Sequence, residues 1–319
     1  MSSSLFLSRG RNFNPESKIP PLDDKHILVT GGTSGLGKQI IVELIKHHPA
    51  HIWLAARDID KAKAVAAEIQ RLTNNTGAIS ILLLDLASLE TVRTAAEKVR
   101  AESSRLDLVI LSAGVVAPDA AQTTDGYELN FGTNYLGPAL LIQELLPLLR
   151  ATQREVPHAD VRVVSLNSTV HRLAPPGGIR FDILQSSSKS LTTVLRYAQS
   201  KLATALHTRA LARHYPDLKF VTVHPGIAET PLIGHFVSLL SLNPGLVQGT
   251  RAWWMHDVQE GIKGPLWAAF SSDVYSGEYY EPVGVRGRAS HAALDDHLER
   301  KLWDWTEAEL KRWKEKKCC

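Results

Sequence analysis

Short apolar runs alternate with segments of helical length along almost the whole chain. Because strands joined by single helices form parallel sheets that are covered on both faces, this alternation predicts a doubly wound α/β fold of about seven strands. The predicted strands occupy 26–30, 51–56, 79–84, 106–111, 161–166 and 219–224, with a candidate seventh at 277–281. The amphipathic segments between them occupy 36–47, 59–72, 88–103, 125–152, 190–214 and 259–271.

Composition places the chain among ordinary globular proteins. Of its 319 residues, 44% are apolar and 22% are charged, and the net charge is only +3. The basic residues are scattered except at the extreme C-terminus, so we expect no nucleic-acid partner. No apolar run approaches the roughly 20 residues that span a bilayer. We therefore expect a cytoplasmic protein without a transmembrane segment.

We predict one domain, residues 23–319, preceded by an extension at 1–22 that lies on the surface. The scarcity of acidic residues in this extension also permits a transit peptide, although a plain tail is the simpler interpretation. A C-terminal helix is predicted at about 291–316, with apolar side chains at helical spacing. This helix could cap a pocket or form an interface, so a homodimer is left open.

The two cysteines, Cys318 and Cys319, are the last two residues of the sequence. Neighbouring cysteines at one end cannot link distant parts of a fold, which fits a reducing compartment. A basic tail at 311–317 precedes them, and the combination resembles the terminus of doubly prenylated small GTPases, which a pair of lipid chains anchors to membranes. We favour the alternative, an unmodified and frayed helix end.

A glycine-rich turn at 30–38 follows the first predicted strand and precedes an amphipathic helix. Glycines in this position allow a tight turn, a close approach of backbone N–H groups to a pyrophosphate, and close packing of the helix on the sheet. The helix N-terminus adds positive potential. The turn therefore predicts a dinucleotide site, with contacts from Gly31, Thr33, Ser34, Gly35, Leu36 and Gly37.

The end of the second strand distinguishes the two nicotinamide dinucleotides. An acidic side chain there would accept hydrogen bonds from a ribose 2′-hydroxyl and repel a 2′-phosphate. This chain has Ala56 followed by Arg57, whose planar guanidinium can bind a phosphate through two charge-assisted hydrogen bonds. We therefore predict NADP(H) rather than NAD. An inward carboxylate on Asp58 would weaken that preference, but Asp58 is placed to cap the next helix.

Tyr197 and Lys201 are four residues apart in the helix predicted at 190–214. At this spacing both side chains project from the same helix face. The ammonium can then favour the ionised phenol and lower its pKa from about 10 toward the range that general acid-base catalysis needs. Alone the pair is a weak signal, because it also occurs on many solvated helices.

With the glycine turn and the Tyr/Lys pair in one chain, the sequence resembles the short-chain dehydrogenase/reductase family over about residues 20–285. Two positions depart from the family pattern: Ser112 replaces a customary asparagine, and Asn167 stands where a first serine is common. The nearest likeness is to retinol-dehydrogenase-like members and their fungal relatives. Further motifs recur in the family's order, namely Asp85-Leu86, Leu111-Ser-Ala-Gly114, Asn134 within 132–137, Ser168 after the fifth strand, and His224-Pro-Gly226 with Thr230.

The resemblance implies a Rossmann-type domain that moves a hydride between a nicotinamide and a carbonyl carbon. In this implied mechanism Tyr197 exchanges the proton, and Lys201 lowers the pKa of the phenol and binds the nicotinamide ribose. Ser168 stabilises the developing oxyanion, and Asn134 holds a water that connects Lys201 to solvent. No metal is implied. The further implied cofactor contacts are Asp85, Leu86, Ala113, Gly114, Tyr197, Lys201, Pro225, Gly226 and Thr230.

The substrate is less closely specified. The family places its substrate lid where this chain has residues 227–260, which contain Phe236, Trp253 and Trp254. An apolar lid would exclude water from a hydrophobic ligand, but the same side chains could pack on the body or on a neighbouring subunit. His171 follows Ser168 closely enough to line the pocket. We expect a bulky apolar ketone or alcohol, such as a polyketide, terpenoid, aromatic or retinoid-like compound.

Other functions share parts of this pattern. A non-catalytic regulator that binds NADP on the same fold would be expected to lack part of the set formed by Ser168, Tyr197 and Lys201, which is intact. An NAD-dependent dehydrogenase that oxidises alcohols would differ in its cofactor. Epimerases and dehydratases of the extended branch carry a different glycine spacing from that of Gly31, Gly35 and Gly37. The intact set favours an oxidoreductase.

Overall fold

An eight-stranded sheet forms the centre of the computed structural model, which describes residues 10–73, 78–228 and 257–317. Its strand order is β3-β2-β1-β4-β5-β6-β7-β8, and each neighbouring pair is parallel except the last. The predicted doubly wound Rossmann-type sheet is therefore confirmed. The strands are β1 (His26–Thr30), β2 (His51–Ala56), β3 (Ile79–Leu83), β4 (Leu108–Leu111), β5 (Arg162–Leu166), β6 (Lys219–Val223), β7 (Tyr279–Glu281) and β8 (Val285–Arg286).

Helices connect the strands and cover both faces of the sheet. A π-helical turn at Gly132–Leu136 joins two of them into one longer helical segment, and short 3-10 turns lie at Thr169–Leu173, Phe181–Ile183 and Ala292–Leu294. The helices are α1 (Pro15–Lys18), α2 (Gly35–Ile45), α3 (Ile59–Thr73), α4 (Leu89–Glu102), α5 (Leu129–Phe131), α6 (Gly137–Glu155), α7 (Thr193–His214), α8 (Val258–Gly261), α9 (Lys263–Phe270) and α10 (Asp296–Lys317).

The core has two layers because successive strand residues point to opposite faces of the sheet. Leu28 belongs to a cluster with α4, α6, α7 and α10, whereas its neighbours Ile27 and Val29 belong to a cluster with α2, α3 and α9. The direction of strand order reverses between β1 and β4. In open α/β sheets, ligands bind at the carboxyl ends of the strands beside such a reversal.

The predicted N-terminal extension is anchored to the body of the protein over residues 13–22. Phe13, Ile19 and Leu22 are buried in the cluster that contains α9, and the backbone N–H of Arg11 donates to Val283 O at 2.8 Å. Composition did not reveal this packing, because apolar residues separated by Pro and Ser have no helical or strand period. This segment is part of the body of the protein.

The C-terminal helix α10 packs along α7 and joins several separate segments of the chain. Its Leu302 and Leu310 are buried in the first cluster. Trp313 Nε1 donates to Asp125 Oδ1 at 2.8 Å, and Glu309 Oε2 accepts from both Tyr127 (2.8 Å) and Gln185 (2.6 Å). The helix begins a few residues later than predicted. Within the described residues, no helix is long and apolar enough to cross a membrane.

Candidate active site

A cleft with a volume of about 530 Å³ lies at the carboxyl ends of β1, β2, β3 and β4. Val115, Val116 and Thr133 form part of its wall and were not predicted, although Val115 directly follows the Leu111–Gly114 motif. The cleft is large enough for much of a dinucleotide. The predicted cofactor contacts that line it are Gly31, Thr33, Ser34, Gly35, Leu36, Arg57, Asp85, Leu86, Ala113 and Gly114.

The glycines of the first turn are required by geometry. Gly31 and Gly35 have φ angles of +69° and +52°, which other residues rarely adopt. Gly37 does not line the cleft; a Cβ there would lie 2.4 Å from Gly31 O, so glycine allows α2 to pack against the end of β1. The turn therefore brings bare backbone and the start of α2 to the cleft, as a bound pyrophosphate requires.

Two cations line the far end of the cleft. Arg57 follows β2, and Lys61 lies one helical turn later, at the start of α3; both side chains are exposed. The carboxylate of Asp58 accepts a hydrogen bond from Lys61 N at 2.9 Å, so it acts as the helix cap that was expected. Sequence reasoning missed Lys61, although its spacing of four residues from Arg57 could have indicated it.

Tyr197 and Lys201 lie on the buried face of α7. The Lys201 ammonium is 5.7 Å from the centre of the Tyr197 ring and donates to Leu166 O at 3.0 Å. A Cβ on Gly114 would be 3.7 Å from Lys201 Nζ, so the lysine borders the same loop that lines the cleft. The predicted pair is thus next to the cofactor cleft.

The ionisation of this pair is controlled by burial. Burial raises the pKa of Tyr197, and its hydrogen bond with Ser168 partly offsets the increase. Burial lowers the pKa of Lys201 to about 8. The Lys201 ammonium donates to Leu166 O, and the lowering of the phenol pKa by Lys201 stays a prediction.

Ser168 lies at the loop end of β5 and forms a hydrogen bond with Tyr197. Its neighbour Asn167 holds the two elements of the site together: the Nδ2 group donates to Lys201 O at 3.0 Å, and Oδ1 accepts from Ser168 N at 2.7 Å. Asn167 was noted only as a departure from the family pattern. Its position in the structure makes it a positioning residue for both Ser168 and α7.

Asn134 lies in the π-helical turn, a distortion that is frequent at functional sites. Its side chain clamps the backbone of Val115, with Oδ1 accepting from Val115 N at 2.7 Å and Nδ2 donating to Val115 O at 2.9 Å. The Nδ2 group also donates to Ser200 Oγ at 3.0 Å. The amide therefore fixes the cleft loop to α7.

The prediction that His171 contacts substrate is wrong. His171 is fully buried, and its Nδ1 lies 2.7 Å from Ser168 O while its Nε2 accepts from Ser290 N at 3.1 Å. Its ring also packs against Tyr279. Proximity in sequence did not specify the direction of the side chain. Both ring nitrogens make hydrogen bonds within the protein.

The remaining predicted contacts follow β6. Gly226 has a φ of +82°, so the turn after Pro225 needs glycine. Thr230, Phe236, Trp253 and Trp254 lie outside the described residues, as do Cys318, Cys319 and most of the predicted lid at 227–260.

Three buried histidines are expected to make the protein sensitive to acid. Burial lowers the pKa of His171 to about 4 and those of His207 and His224 to about 3, whereas an unfolded histidine titrates near pH ~6.5. Below that pH the unfolded chain binds more protons, so the free energy of unfolding falls as the pH falls toward 4. The expected slope is about 1.4 kcal/mol per pH unit for each histidine.

Urea denaturation between pH 7 and 4.5 measures this slope. Whatever its stability at pH 7, the variant His171→Gln is expected to have a smaller slope. It should lose about one third of the part of the slope that the three histidines contribute. A slope that is the same in both proteins would contradict the assignment for His171.

Known proteins resemble this chain in sequence and in fold. A family model described as short chain dehydrogenase matches residues 25–174. The chain is 34% identical to an uncharacterized oxidoreductase of Schizosaccharomyces pombe, over 90% of this chain and 85% of that protein. It is 35% identical to retinol dehydrogenase 13 of Mus musculus, over 88% and 81% of the two chains.

A solved structure of an uncharacterized protein from Mycobacterium paratuberculosis is similar to this fold. The two superpose with a TM-score of 0.71 at 26% identity, over 93% of this chain and 97% of the other. The similarity therefore covers almost the entire fold, including both layers of helices.

Proposed function

Because the chain belongs to the short-chain dehydrogenase/reductase family of oxidoreductases, with retinol-dehydrogenase-like and fungal relatives, we propose that it interconverts a carbonyl and an alcohol on a bulky apolar substrate with NADP(H). The observation that carries this proposal is the group formed by Ser168, Tyr197 and Lys201 beside a dinucleotide-sized cleft. The three side chains supply an acid, a hydrogen-bond donor and a cation next to one another.

The chemistry divides between the cofactor and the chain. The nicotinamide supplies or accepts the hydride. Tyr197 gives its phenolic proton to the substrate oxygen in reduction and takes it back in oxidation. Ser168 holds the same oxygen through its hydroxyl and stabilises the charge that develops there. Lys201, whose pKa of about 8 allows proton exchange near neutrality, supplies the next proton.

The charges that line the cleft support NADP(H) over NAD as the cofactor. Arg57 and Lys61 both line its far end, and two cations there favour a 2′-phosphate. The carboxylate of Asp58, which could have favoured a ribose hydroxyl, is engaged as a helix cap. NADP(H) is thus the cofactor that these charges would bind more tightly.

Replacing either cation is expected to change cofactor preference. Arg57→Leu and Lys61→Leu should each lower kcat/KM for NADPH by about tenfold to 100-fold, since a charge-assisted hydrogen bond contributes roughly 1.5–3 kcal/mol. The value for NADH should change little. Steady-state kinetics with both cofactors measures the effect, and Lys63→Leu is the control because Lys63 pairs with Asp60 and does not line the cleft. Equal losses with NADPH and NADH would contradict a 2′-phosphate site.

The apolar substrate class is supported by relatives of this chain, one of which is named a retinol dehydrogenase. A screen of carbonyls and alcohols, followed by the absorbance of NADPH, tests the proposal directly. We expect turnover with bulky ring ketones or long-chain alcohols and little with small hydrophilic ones. If no compound of either kind changes the NADPH signal, the proposed function is wrong.

A further inference from the structure

Hydrogen bonds hold Ser168 at each of its three polar atoms. Its N–H donates to Asn167 Oδ1 at 2.7 Å, and its hydroxyl oxygen accepts from Val170 N at 3.3 Å and also forms a hydrogen bond with Tyr197. The carbonyl oxygen of Ser168 lies 3.2 Å from His171 N and 2.7 Å from His171 Nδ1. The imidazole of His171 thus makes the shorter of the two contacts with the serine carbonyl, although its ring takes no part in the proposed reaction.

The partners of His171 determine which of its ring nitrogens carries the hydrogen. Nε2 lies 3.1 Å from the backbone nitrogen of Ser290, which can only donate, so Nε2 must be the acceptor. Nδ1 therefore carries the hydrogen of the neutral ring and donates it to Ser168 O, which can only accept. Burial lowers the pKa of His171 to about 4, so the ring is neutral near pH 7. The imidazole thus forms a bridge from Ser290 N to Ser168 O with a single direction of donation.

A second link lies directly beside this bridge. Arg172 Nη2 donates to Arg288 O and to Glu281 Oε1, both at 2.5 Å. Glu281 belongs to β7 and is buried, and the His171 ring packs edge-on against Tyr279 of the same strand, with the ring centres 4.8 Å apart. Two consecutive side chains therefore hold the 3-10 turn of the site against β7 and against the residues that follow β8.

We propose that His171 is a positioning residue for Ser168, and that the segment 288–290 is the fixed support from which it acts. This inference rests on the proposed function. The Ser168 hydroxyl must point at the substrate oxygen where negative charge develops, and its direction depends on the orientation of its own backbone. The hydrogen bond from His171 Nδ1 to Ser168 O limits changes in that orientation. Since a displacement of about 1 Å can lower a rate by up to about 10²-fold, the loss of this hydrogen bond should lower kcat.

Two amide substitutions at position 171 separate the two hydrogen bonds of the bridge. In His171→Asn the amide nitrogen takes the place of Nδ1 and can still donate to Ser168 O. In His171→Gln the longer side chain brings its amide oxygen to the place of Nε2, so it can accept from Ser290 N but leaves Ser168 O without its side-chain donor. Both variants lose the ring and its packing against Tyr279. We expect kcat to fall by about tenfold to 100-fold in His171→Gln and to fall much less in His171→Asn.

A double-mutant cycle tests whether His171 acts through Ser168. Ser168→Ala removes the hydroxyl and is expected to lower kcat by about 10²–10³-fold, the usual effect of losing one such donor. His171→Gln should then have no further effect on kcat in the Ser168→Ala background, because no hydroxyl is left to be directed. The Kd for NADPH, from titration of its fluorescence, should be the same in all four proteins. If His171→Gln lowers kcat by the same factor in both backgrounds, or if His171→Asn loses as much activity as His171→Gln, the role of His171 is purely structural and the inference is wrong.

His207→Gln is the control for the loss of a buried histidine. The His207 ring is buried and packs against Tyr135 and Trp303, and in the part of the chain that the structure describes no hydrogen bond joins it to the turn after Ser168. Its substitution should lower the free energy of unfolding and leave kcat of the folded protein unchanged. A fall in kcat as large as that of His171→Gln would show that lost stability alone lowers activity, and would overturn the inference.

Crystal structures of the two variants test the positioning independently of activity. We expect the Ser168 hydroxyl to keep its hydrogen bond with Tyr197 in His171→Asn and to lose it in His171→Gln. If Ser168 has the wild-type position in both variants, this inference is refuted and the proposed function stays intact. If Ser168 moves as expected but the wild-type protein turns over no carbonyl or alcohol, the proposed function is refuted, and the catalytic part of this inference with it.

Discussion

Tyr197→Phe is expected to abolish turnover and leave cofactor binding intact. The substitution removes only the hydroxyl that donates the proton, and a positioned general acid contributes roughly 10²–10⁴-fold to the rate. Tyr197 is buried and does not belong to the lining of the 530 Å³ cleft, so the dinucleotide site should keep its shape. We expect kcat/KM to fall by at least about 100-fold, measured by NADPH absorbance, while titration of NADPH fluorescence gives a Kd close to that of the wild type.

The control for this experiment is Tyr215→Phe, which removes a phenol from the C-cap of the same helix. Tyr215 lies at the opposite end of α7 from Tyr197 and packs near Arg150 and Phe220, so its loss should leave kcat/KM unchanged. Retention of activity in the Tyr197 variant would show that another group supplies the proton. Loss of NADPH binding would show that the Tyr197 phenol acts in cofactor binding rather than in proton transfer.

Arg196→Met is expected to destabilise the fold by about 3–5 kcal/mol, the cost of leaving a buried charge without its partner. Arg196 precedes Tyr197 and is buried against Glu128, which has no exposed surface. The Nε group lies 3.5 Å from Glu128 Oε1, and the guanidinium also donates to Leu191 O at 2.7 Å and Pro118 O at 3.1 Å. The arginine thus joins α7 to the loop after β4, and urea denaturation at pH 7 measures its contribution.

Two further variants identify the cause of this loss. Glu128→Gln in the Arg196→Met background should recover part of the stability, because it removes the charge that the first substitution leaves unpaired. Arg180→Met breaks an exposed pair with Asp182 and should leave the free energy of unfolding nearly unchanged. If Arg196→Met lowers the free energy of unfolding no more than Arg180→Met does, the buried ion pair does not hold the loop to the helix.

The sequence predicted the sheet because buried parallel strands are continuous apolar runs. β8 was missed since Val285 and Arg286 form only two residues of strand, paired antiparallel with β7, and such a short element has no periodicity. The burial of Phe13 was missed for a related reason. It depends on packing with α9, which is about 250 residues away in the chain, and the local composition cannot indicate a contact at that separation.

The site was predictable where a fixed spacing places a side chain, and less so elsewhere. The four-residue spacing of Tyr197 and Lys201 specified one helix face, and the structure has both on the buried side of α7. His171 lies three residues after Ser168 in a 3-10 turn, where spacing does not define the direction of a side chain. Its ring is buried in the core. The ionisation of Tyr197 could not be predicted either, because it depends on how completely the phenol is buried.

The contacts of α10 also bear on the order in which the protein is made and folded. Trp313 and Glu309 bind residues near 125 and 185, so the helical layer around α7 lacks part of its packing until the last helix has emerged from the ribosome. Domains commonly begin to fold during synthesis, with their N-terminal parts first. In this protein α2 and α3 can pack on the first strands early, whereas the helical layer of α7 and α10 is completed last.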